Sequence, residues 1–211
     1  MKKLRVLVTC GATWAPIDQV RVISNVSSGE MGHLIACAFR QKGADVTIIE
    51  GPVTHTLSCS RQGGNPFKII KYRFFDELAR ILNEELARKY DIVVHAAAVS
   101  DFRVRRVSKN KIASGKKLRL DLQAAPKLIK AVKRLSPESF LVGFKLETSL
   151  NLKNIYRLAG PLFMGSGCDL VVANTLKGGY KGYVLDADGR VLSKAAGKAE
   201  MAKDLVGILT S

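Results

Sequence analysis

The sequence has no apolar run long enough to cross a bilayer, so it does not predict a membrane-spanning helix. Its N-terminus, Met-Lys-Lys followed at once by a strand-like LRVLVTC, also lacks the long apolar core and cleavage site of a secretory signal peptide. We therefore expect a protein of the cytoplasm with no membrane partner.

Cysteine and histidine are scarce, and neither has the spacing of a metal site. The four cysteines form no C-x-x-C pair, and the three histidines show no H-E-x-x-H or similar pattern. A chain of 211 residues can bury enough apolar surface without disulfides. The sequence therefore predicts reduced thiols and no protein-bound zinc.

Acidic residues are also few, with 18 Asp and Glu against 34 Lys and Arg, which gives a net charge of +16. Such an excess favours anionic partners, including nucleotides, phosphorylated metabolites and nucleic acid. Aromatic residues make up only 7% of the chain, and they are not interleaved with the basic stretch. With no recognisable nucleic-acid-binding motif either, a specific nucleic-acid partner is not expected.

What the chain does contain is an alternation of buried strands and amphipathic helices. In the first half, strands are predicted at Leu4–Val8, Asp45–Glu50, Phe67–Tyr72 and Asp91–Val99, with helices at 31–42 and Phe75–Tyr90, the latter capped by Asp76. The second half predicts, in order, helix Pro126–Leu135, strand Phe140–Phe144, helix 151–163, strand Asp169–Asn174, hairpin Tyr183–Leu192 and helix Lys198–Leu209. This order predicts one α/β domain, residues 1–211, with a Rossmann-like, doubly wound, mostly parallel sheet and a C-terminal hairpin.

Two stretches carry the predicted ligand chemistry. The glycine loop, residues 9–32, joins the first strand to the first helix and contains a Gly turn and a Ser-Ser-Gly cluster, a pattern that places backbone N–H groups around an anion. The basic segment, residues 102–120, contains eight Lys or Arg residues and no acid, and we interpret it as a mobile flap. Alternating leucines within Lys116–Gln123 predict a strand with one covered face.

Several motifs, in order and with natural spacing, resemble phosphopantothenoylcysteine synthetase, the phosphopantothenate–cysteine ligase of coenzyme A biosynthesis. They are TCGATWAPIDQVRVISNVSSGEMG, HAAAVSDFR, Lys111-Ile112, VGFKLET and DLVVAN. The resemblance implies a ligase that joins 4'-phosphopantothenate and L-cysteine through an acyl-nucleotidylate, with release of pyrophosphate. It also implies a homodimer, CTP or ATP as co-substrate, and Mg²⁺. The flavin-binding half that many bacteria fuse to this domain is absent from the sequence, so a stand-alone synthetase without flavin is expected.

The resemblance also implies roles for individual residues. Lys111 would stabilise charge on the nucleotide phosphates, and Asn25 would act at the acyl site, where its amide can donate to the acyl oxygen. The remaining implied nucleotide-site positions are Gly11, Ser27, Ser28, Gly29, His95, Ala96, Ala97, Asp101 and Phe144. No protein metal site is implied, because Mg²⁺ would arrive on the nucleotide phosphates, with Asp101 as one further ligand.

The sequence departs from the family pattern around the nucleotide. Glu30 replaces the lysine of SSGKMG, Ala125 and Lys127 flank the proline of an Asn-Pro-Asp turn, and Ser166 lies where a lysine is usual. The choice between CTP and ATP therefore stays open.

Two other classes remain as alternatives. A short-chain-dehydrogenase-like oxidoreductase would share the Gly turn, but no tyrosine here has a lysine four residues later. A basic nucleotide- or nucleic-acid-binding protein without catalysis would account for the charge.

Overall fold

In a computed structural model, the chain forms one large sheet of eight strands and two small two-stranded sheets. The structure describes residues 3–57, 59, 67–115 and 117–211. The large sheet has the strand order β12-β11-β10-β9-β6-β1-β4-β5. Its strands are β1 Arg5–Cys10, β4 Asp45–Glu50, β5 Lys68–Lys71, β6 Ile92–His95, β9 Phe140–Leu146, β10 Leu170–Thr175, β11 Lys181–Asp186 and β12 Val191–Ala195.

Strands β5, β4, β1, β6, β9 and β10 run parallel, whereas β11 and β12 add an antiparallel hairpin at one edge. The parallel crossovers from β1 to β4, β5 to β6, β6 to β9 and β9 to β10 each carry a helix, and the apolar face of that helix covers one side of the sheet. The helices are α1 Glu30–Gln41, α2 Phe75–Leu86, α3 Ile129–Leu135, α4 Ile155–Ser166 and α5 Lys198–Leu209. Helices α1 and α5 pack together on one face, and α2, α3 and α4 pack on the other. The predicted doubly wound α/β fold is confirmed.

The order of the strands creates a crevice at one point of the sheet. From β1 the chain moves outward to β4 and β5, and then returns to the other side of β1 to form β6. The crossovers that follow β1 and β6 therefore leave on opposite faces of the sheet, just beyond the carboxyl ends of these two strands. Ligands of open α/β sheets bind at such a switch point.

Two short hairpins lie at this ligand edge, and the sequence predicted neither. Strands β2 Trp14–Pro16 and β3 Val22–Ser24 pair within the glycine loop. Strands β7 Phe102–Val104 and β8 Leu122–Ala124 pair across the ends of the basic segment. Both pairs are only three residues long, too short for a periodic pattern to identify.

Two local predictions were wrong. The strand predicted over Lys116–Gln123 is reduced to β8, and Leu118, Leu120 and Leu122 are exposed, so the predicted covered face is not observed. The first turn of α2 is capped by Glu77, not by Asp76. The Glu77 carboxylate accepts from the backbone N–H groups of Arg73 and Phe74, at 2.7 and 3.0 Å.

The expectation that all thiols are reduced was also wrong. Cys37 on α1 and Cys59 in the loop after β4 form a disulfide, with their Cα atoms 5.8 Å apart. They are 22 residues apart in sequence, so only packing of the loop onto α1 brings them together. Cys10 and Cys168 are free and buried.

Among the described residues, no helix combines the length and apolarity needed to cross a membrane. The loop predicted at Gly63–Pro66, and Lys116 of the basic segment, lie outside the described residues.

Candidate functional site

A cavity of about 1080 Å³ opens at the switch point of the sheet, on the face covered by α3 and α4. Its lining includes residues from the ends of β6 and β9, the glycine loop and the α3 and α4 helices. Five of the predicted site residues line it, namely Asn25, His95, Ala97, Asp101 and Phe144. The structure therefore brings together, in one concave site, residues that are up to 119 positions apart in the chain, the separation of Asn25 and Phe144.

Asn25 is held at the rim of the cavity by backbone carbonyls. Its side-chain Nδ2 donates to Ala98 O and Val99 O, at 3.3 and 3.2 Å. Because two carbonyl acceptors fix the amide orientation, the atom left for a ligand is Oδ1, a hydrogen-bond acceptor. This differs from the expectation that Asn25 donates to an acyl oxygen.

His95 forms part of the cavity wall at the end of β6. The chain passes from β6 into Ala97, whose backbone N–H donates to Thr9 Oγ1 at 3.2 Å, and the same hydroxyl lies 3.1 Å from His95 Nδ1. Burial lowers the pKa of His95 to about 4, so the imidazole is neutral near pH 7. A neutral ring can offer a ligand one donor or one acceptor, but no charge. Thr9, which the sequence did not single out, is the residue that orients this ring.

The charged side chains lining the cavity are mainly basic. Lys127, Lys130 and Lys145 line it, and Asp101 is the one acid among the described residues that do so. Asp101 forms an ion pair with Lys127, and both side chains are exposed. Three cations facing one carboxylate suit a polyanionic ligand such as a polyphosphate. Lys127 and Lys130 were not predicted as site residues, and Lys127 stands in the turn that departs from the family pattern.

The other predicted site residues of the glycine loop, Gly11, Ser27, Ser28 and Gly29, do not line the cavity. Gly11 and Gly29 both have positive φ, 80° and 77°, and both pack against the loop that follows β4. A Cβ on Gly29 would lie 2.3 Å from Val53 Cγ1. These glycines are therefore required by packing. Ala96 is also absent from the cavity lining.

Lys111 is exposed and lies outside the cavity lining. The backbone beside it is fixed, however, by Asp18 and Arg21 of the glycine loop. Asp18 Oδ2 accepts from Ile112 N at 3.0 Å, and Arg21 Nη1 donates to Ile112 O at 3.0 Å. Hydrogen bonds to its carboxylate, first from the backbone of Ile112, hold the pKa of Asp18 below its usual value. The basic segment is thus anchored next to Lys111.

The substitution of Glu30 for the family lysine is matched by a basic residue elsewhere. Lys198, at the start of α5, forms an ion pair with Glu30 at 2.5 Å. The pKa of Glu30 is lowered mainly by its hydrogen bond from Lys198. The Glu30–Lys198 pair is therefore neutral overall, and it links the start of α1 to the start of α5.

The fold and the cavity define a class, an α/β domain with an anion-binding cleft at the switch point of a mostly parallel sheet. Comparison with known proteins gives the family. The model of the DNA/pantothenate metabolism flavoprotein C-terminal domain matches residues 1–208. The chain belongs to this family.

Individual relatives are consistent with that assignment. The coenzyme A biosynthesis bifunctional protein CoaBC of Thermococcus kodakarensis is 45% identical over 174 residues, which are 82% of this chain and 41% of the relative. The chain spans about half the length of the curated relatives it matches.

Two solved structures share the fold. The DNA/pantothenate metabolism flavoprotein of Streptococcus pneumoniae superimposes with a TM-score of 0.83 at 23% identity, covering 98% of both chains. The Cab2 mutant H337A, solved as a complex with phosphopantothenate-cysteine, superimposes with a TM-score of 0.76 at 18% identity, covering 98% of this chain and 86% of that one.

Proposed function

We propose that this domain joins 4'-phosphopantothenate to L-cysteine, with CTP and Mg²⁺. The observation that carries the proposal is the cavity at the switch point, which combines Asn25, Asp101 and Phe144 with three lysines. A lone Rossmann-like fold would not specify an activity. Family membership, a relative named for coenzyme A biosynthesis and a structural neighbour solved with phosphopantothenate-cysteine all support the substrate class.

The chemistry requires two bond exchanges. In the first, a carboxylate oxygen of phosphopantothenate attacks the α-phosphorus of the nucleotide, the bond to the bridging oxygen breaks, and pyrophosphate leaves. In the second, the cysteine amine attacks the acyl carbon, the bond to the phosphate oxygen breaks, and the nucleoside monophosphate leaves. The first exchange concentrates negative charge, so it needs cations and fixed donors.

The chain's residues divide between these two steps. Lys127, Lys130 and Lys145 line the cavity where a polyphosphate would lie, and Lys111, on its anchored segment, would close over the phosphates. Asn25 Oδ1 would accept a hydrogen bond from the attacking amine and so orient it. Mg²⁺, carried by the nucleotide, would neutralise phosphate charge, and Asp101 is the cavity carboxylate able to contact it.

CTP is the nucleotide we propose, on the strength of the family resemblance. The test is pyrophosphate release from phosphopantothenate and Mg²⁺ with CTP or with ATP, before and after L-cysteine is added. We expect release that requires phosphopantothenate, Mg²⁺ and CTP together, and amide product only after cysteine. Equal efficiency with ATP would overturn the choice of CTP. No release with any nucleotide would overturn the ligase proposal.

We also propose that the single domain, residues 1–211, acts as a homodimer in the cytoplasm, where nucleoside triphosphates are available. Exposed apolar side chains of the glycine loop and the basic segment support the dimer, since Val20, Val26 and Phe102 are 65%, 101% and 56% exposed. Light scattering should give twice the chain mass of 23.0 kDa. A mass of one chain at micromolar concentration would contradict the dimer.

A further inference from the structure

Three metal-ligating side chains meet beneath the glycine loop, outside the cavity. Cys10 is the last residue of β1, Glu50 is the last residue of β4, and His33 lies in the first turn of α1. One donor atom from each lies within 4.8 Å of the other two. All three residues are buried, with exposures of 1%, 8% and 1%. His33 and Glu50 are partners in a hydrogen bond, and a shared ion is a partner that could serve all three groups.

The spacing of the donors is close to that of a coordination shell. Zinc binds sulfur at about 2.3 Å and nitrogen or oxygen at about 2.0–2.2 Å, so tetrahedral donors lie roughly 3.3–3.8 Å apart. His33 Nε2 lies 2.8 Å from Glu50 Oε1, as a hydrogen bond, and no pair of donors exceeds 4.8 Å. Side-chain shifts of about 1 Å would place all three around one ion that replaces the hydrogen between His33 and Glu50.

The second nitrogen of His33 is already held. His33 Nδ1 lies 3.2 Å from His55 Nδ1, so with an ion on Nε2 the remaining proton, on Nδ1, would face the His55 ring nitrogen. His55 is itself positioned by a hydrogen bond from its backbone N–H to Ser28 O, at 3.1 Å. Metal-bound histidines typically make such a contact through the ring nitrogen that does not bind the metal. The imidazole is thus oriented with Nε2 toward Cys10 and Glu50.

We propose that Cys10, His33 and Glu50 form a binding site for a divalent ion of the zinc class. A thiolate, an imidazole and a carboxylate are a mixed donor set that suits Zn²⁺ or Co²⁺ and suits Mg²⁺ poorly, because Mg²⁺ prefers oxygen ligands. Three protein ligands leave a fourth position open. A bound ion would tie β1, β4 and α1 together under the glycine loop.

One nearby charge opposes the ion. Lys71 Nζ lies 3.9 Å from Glu50 Oε2, but its side chain is 80% exposed and can turn into solvent. Lys71 is therefore a useful probe. Removing its charge should increase the affinity of the site for a cation, whereas a purely hydrogen-bonded cluster should not gain affinity for a cation. The site was not visible in the sequence because its ligands come from three elements, at positions 10, 33 and 50, and not from one local motif.

Cobalt binding to the whole chain, purified without a histidine tag and with the Cys37–Cys59 disulfide intact, tests the proposal. We expect one Co²⁺ per chain and a sulfur-to-cobalt charge-transfer absorption. Cys10→Ser and His33→Ala should abolish this absorption, whereas Cys168→Ser, the matched change at the other free buried cysteine, should leave it intact. If Cys10→Ser fails to fold by circular dichroism, Glu50→Gln provides the same test through loss of one-to-one binding.

Two further variants separate this arrangement from its alternatives. His55→Ala should weaken binding by about 10–100-fold, the usual effect of losing a group that orients a ligand. Lys71→Gln should tighten it by about fivefold, the value of one exposed charge at this distance. No bound cobalt would overturn the proposal, as would a charge-transfer absorption that survives Cys10→Ser or disappears equally in Cys168→Ser. If His55→Ala abolished cobalt binding and Cys10→Ser did not, the ion would instead bind between the two imidazoles, His33 and His55.

Discussion

The cavity wall and the basic segment both carry ligand-facing groups, but the fold holds them in different ways. The wall is built near strand ends, where the Asn25 amide donates to backbone carbonyls and the His95 ring lies against the Thr9 hydroxyl. The basic segment has no helix or strand among its described residues between β7 and β8, and Asp18 anchors it at Ile112. Side chains on rigid elements are held in precise positions, whereas side chains on an anchored loop can move toward a bound ligand. We therefore predict that the cavity wall orients the substrate and that the basic segment supplies positive charge.

The largest expected effect is that of Lys111→Ala on the first step of the reaction. Loss of a positioned donor to a transferring phosphate should reduce the rate of pyrophosphate release by about 10²–10³-fold. Lys109 and Lys117 are exposed on the same segment, so Lys109→Ala and Lys117→Ala are matched controls that should stay within a few-fold of wild type. Stopped-flow detection of pyrophosphate measures all three. If all three variants lost the same rate, and added salt reduced the three losses equally, Lys111 would contribute only to the overall positive potential.

Asn25→Ala tests the wall, and it should affect the opposite half of the reaction. Because the free atom of Asn25 is an acceptor, the variant should slow amide formation by about 10²-fold while pyrophosphate release with CTP changes little. The two rates can be separated by withholding cysteine and then adding it. If Asn25→Ala instead abolished CTP binding in calorimetry and left turnover of bound nucleotide intact, Asn25 would belong to the nucleotide site.

His95 should make the stability of the wall depend on pH. Its folded pKa of about 4 lies below the ordinary value of 6.5, so the unfolded chain binds the proton more tightly and stability falls as pH drops from 6.5 toward 4. Between pH 7.5 and 4.5 this group should remove about 2–3 kcal/mol from the free energy of unfolding.

Urea denaturation of the wild type and of His95→Gln at both pH values measures the contribution of His95 as the difference between the two proteins. The variant should lose about 2–3 kcal/mol less than the wild type over the same interval. Parallel pH dependence in the two proteins would contradict the burial of a neutral imidazole at this position.

The smallest effect is expected for leucines of the basic segment. Leu120 is 36% exposed, so Leu120→Ala should change the free energy of unfolding by no more than about 0.5 kcal/mol. Leu141→Ala, at a fully buried position in β9, is the matched control and should cost about 2–5 kcal/mol. A loss of several kcal/mol at Leu120 would mean that the segment packs against a surface, such as a second copy of the chain.

The sequence by itself determined the kinds and order of the main elements. Buried strands such as Asp45–Glu50 and the helix Lys198–Leu209 were predicted with the bounds that the structure gives them. The Asp188-Gly189 turn identified the C-terminal hairpin, and Gly189 indeed has a positive φ of 83°. Hydrophobic period, caps and turn residues are local signals, and a long element repeats them often enough to be recognised.

Only the tertiary structure decided which residues share a site. Lys127 meets Asp101, Cys37 meets Cys59, and the ligands Cys10, His33 and Glu50 converge, each across a crossover or loop. No local pattern encodes these pairs, because parallel strands bring their carboxyl ends together only after the intervening helix has packed on the sheet. The placement of Lys111 outside the cavity lining has the same cause, since the neighbouring Ile112 N–H donates to Asp18, 94 positions before Ile112 in the chain.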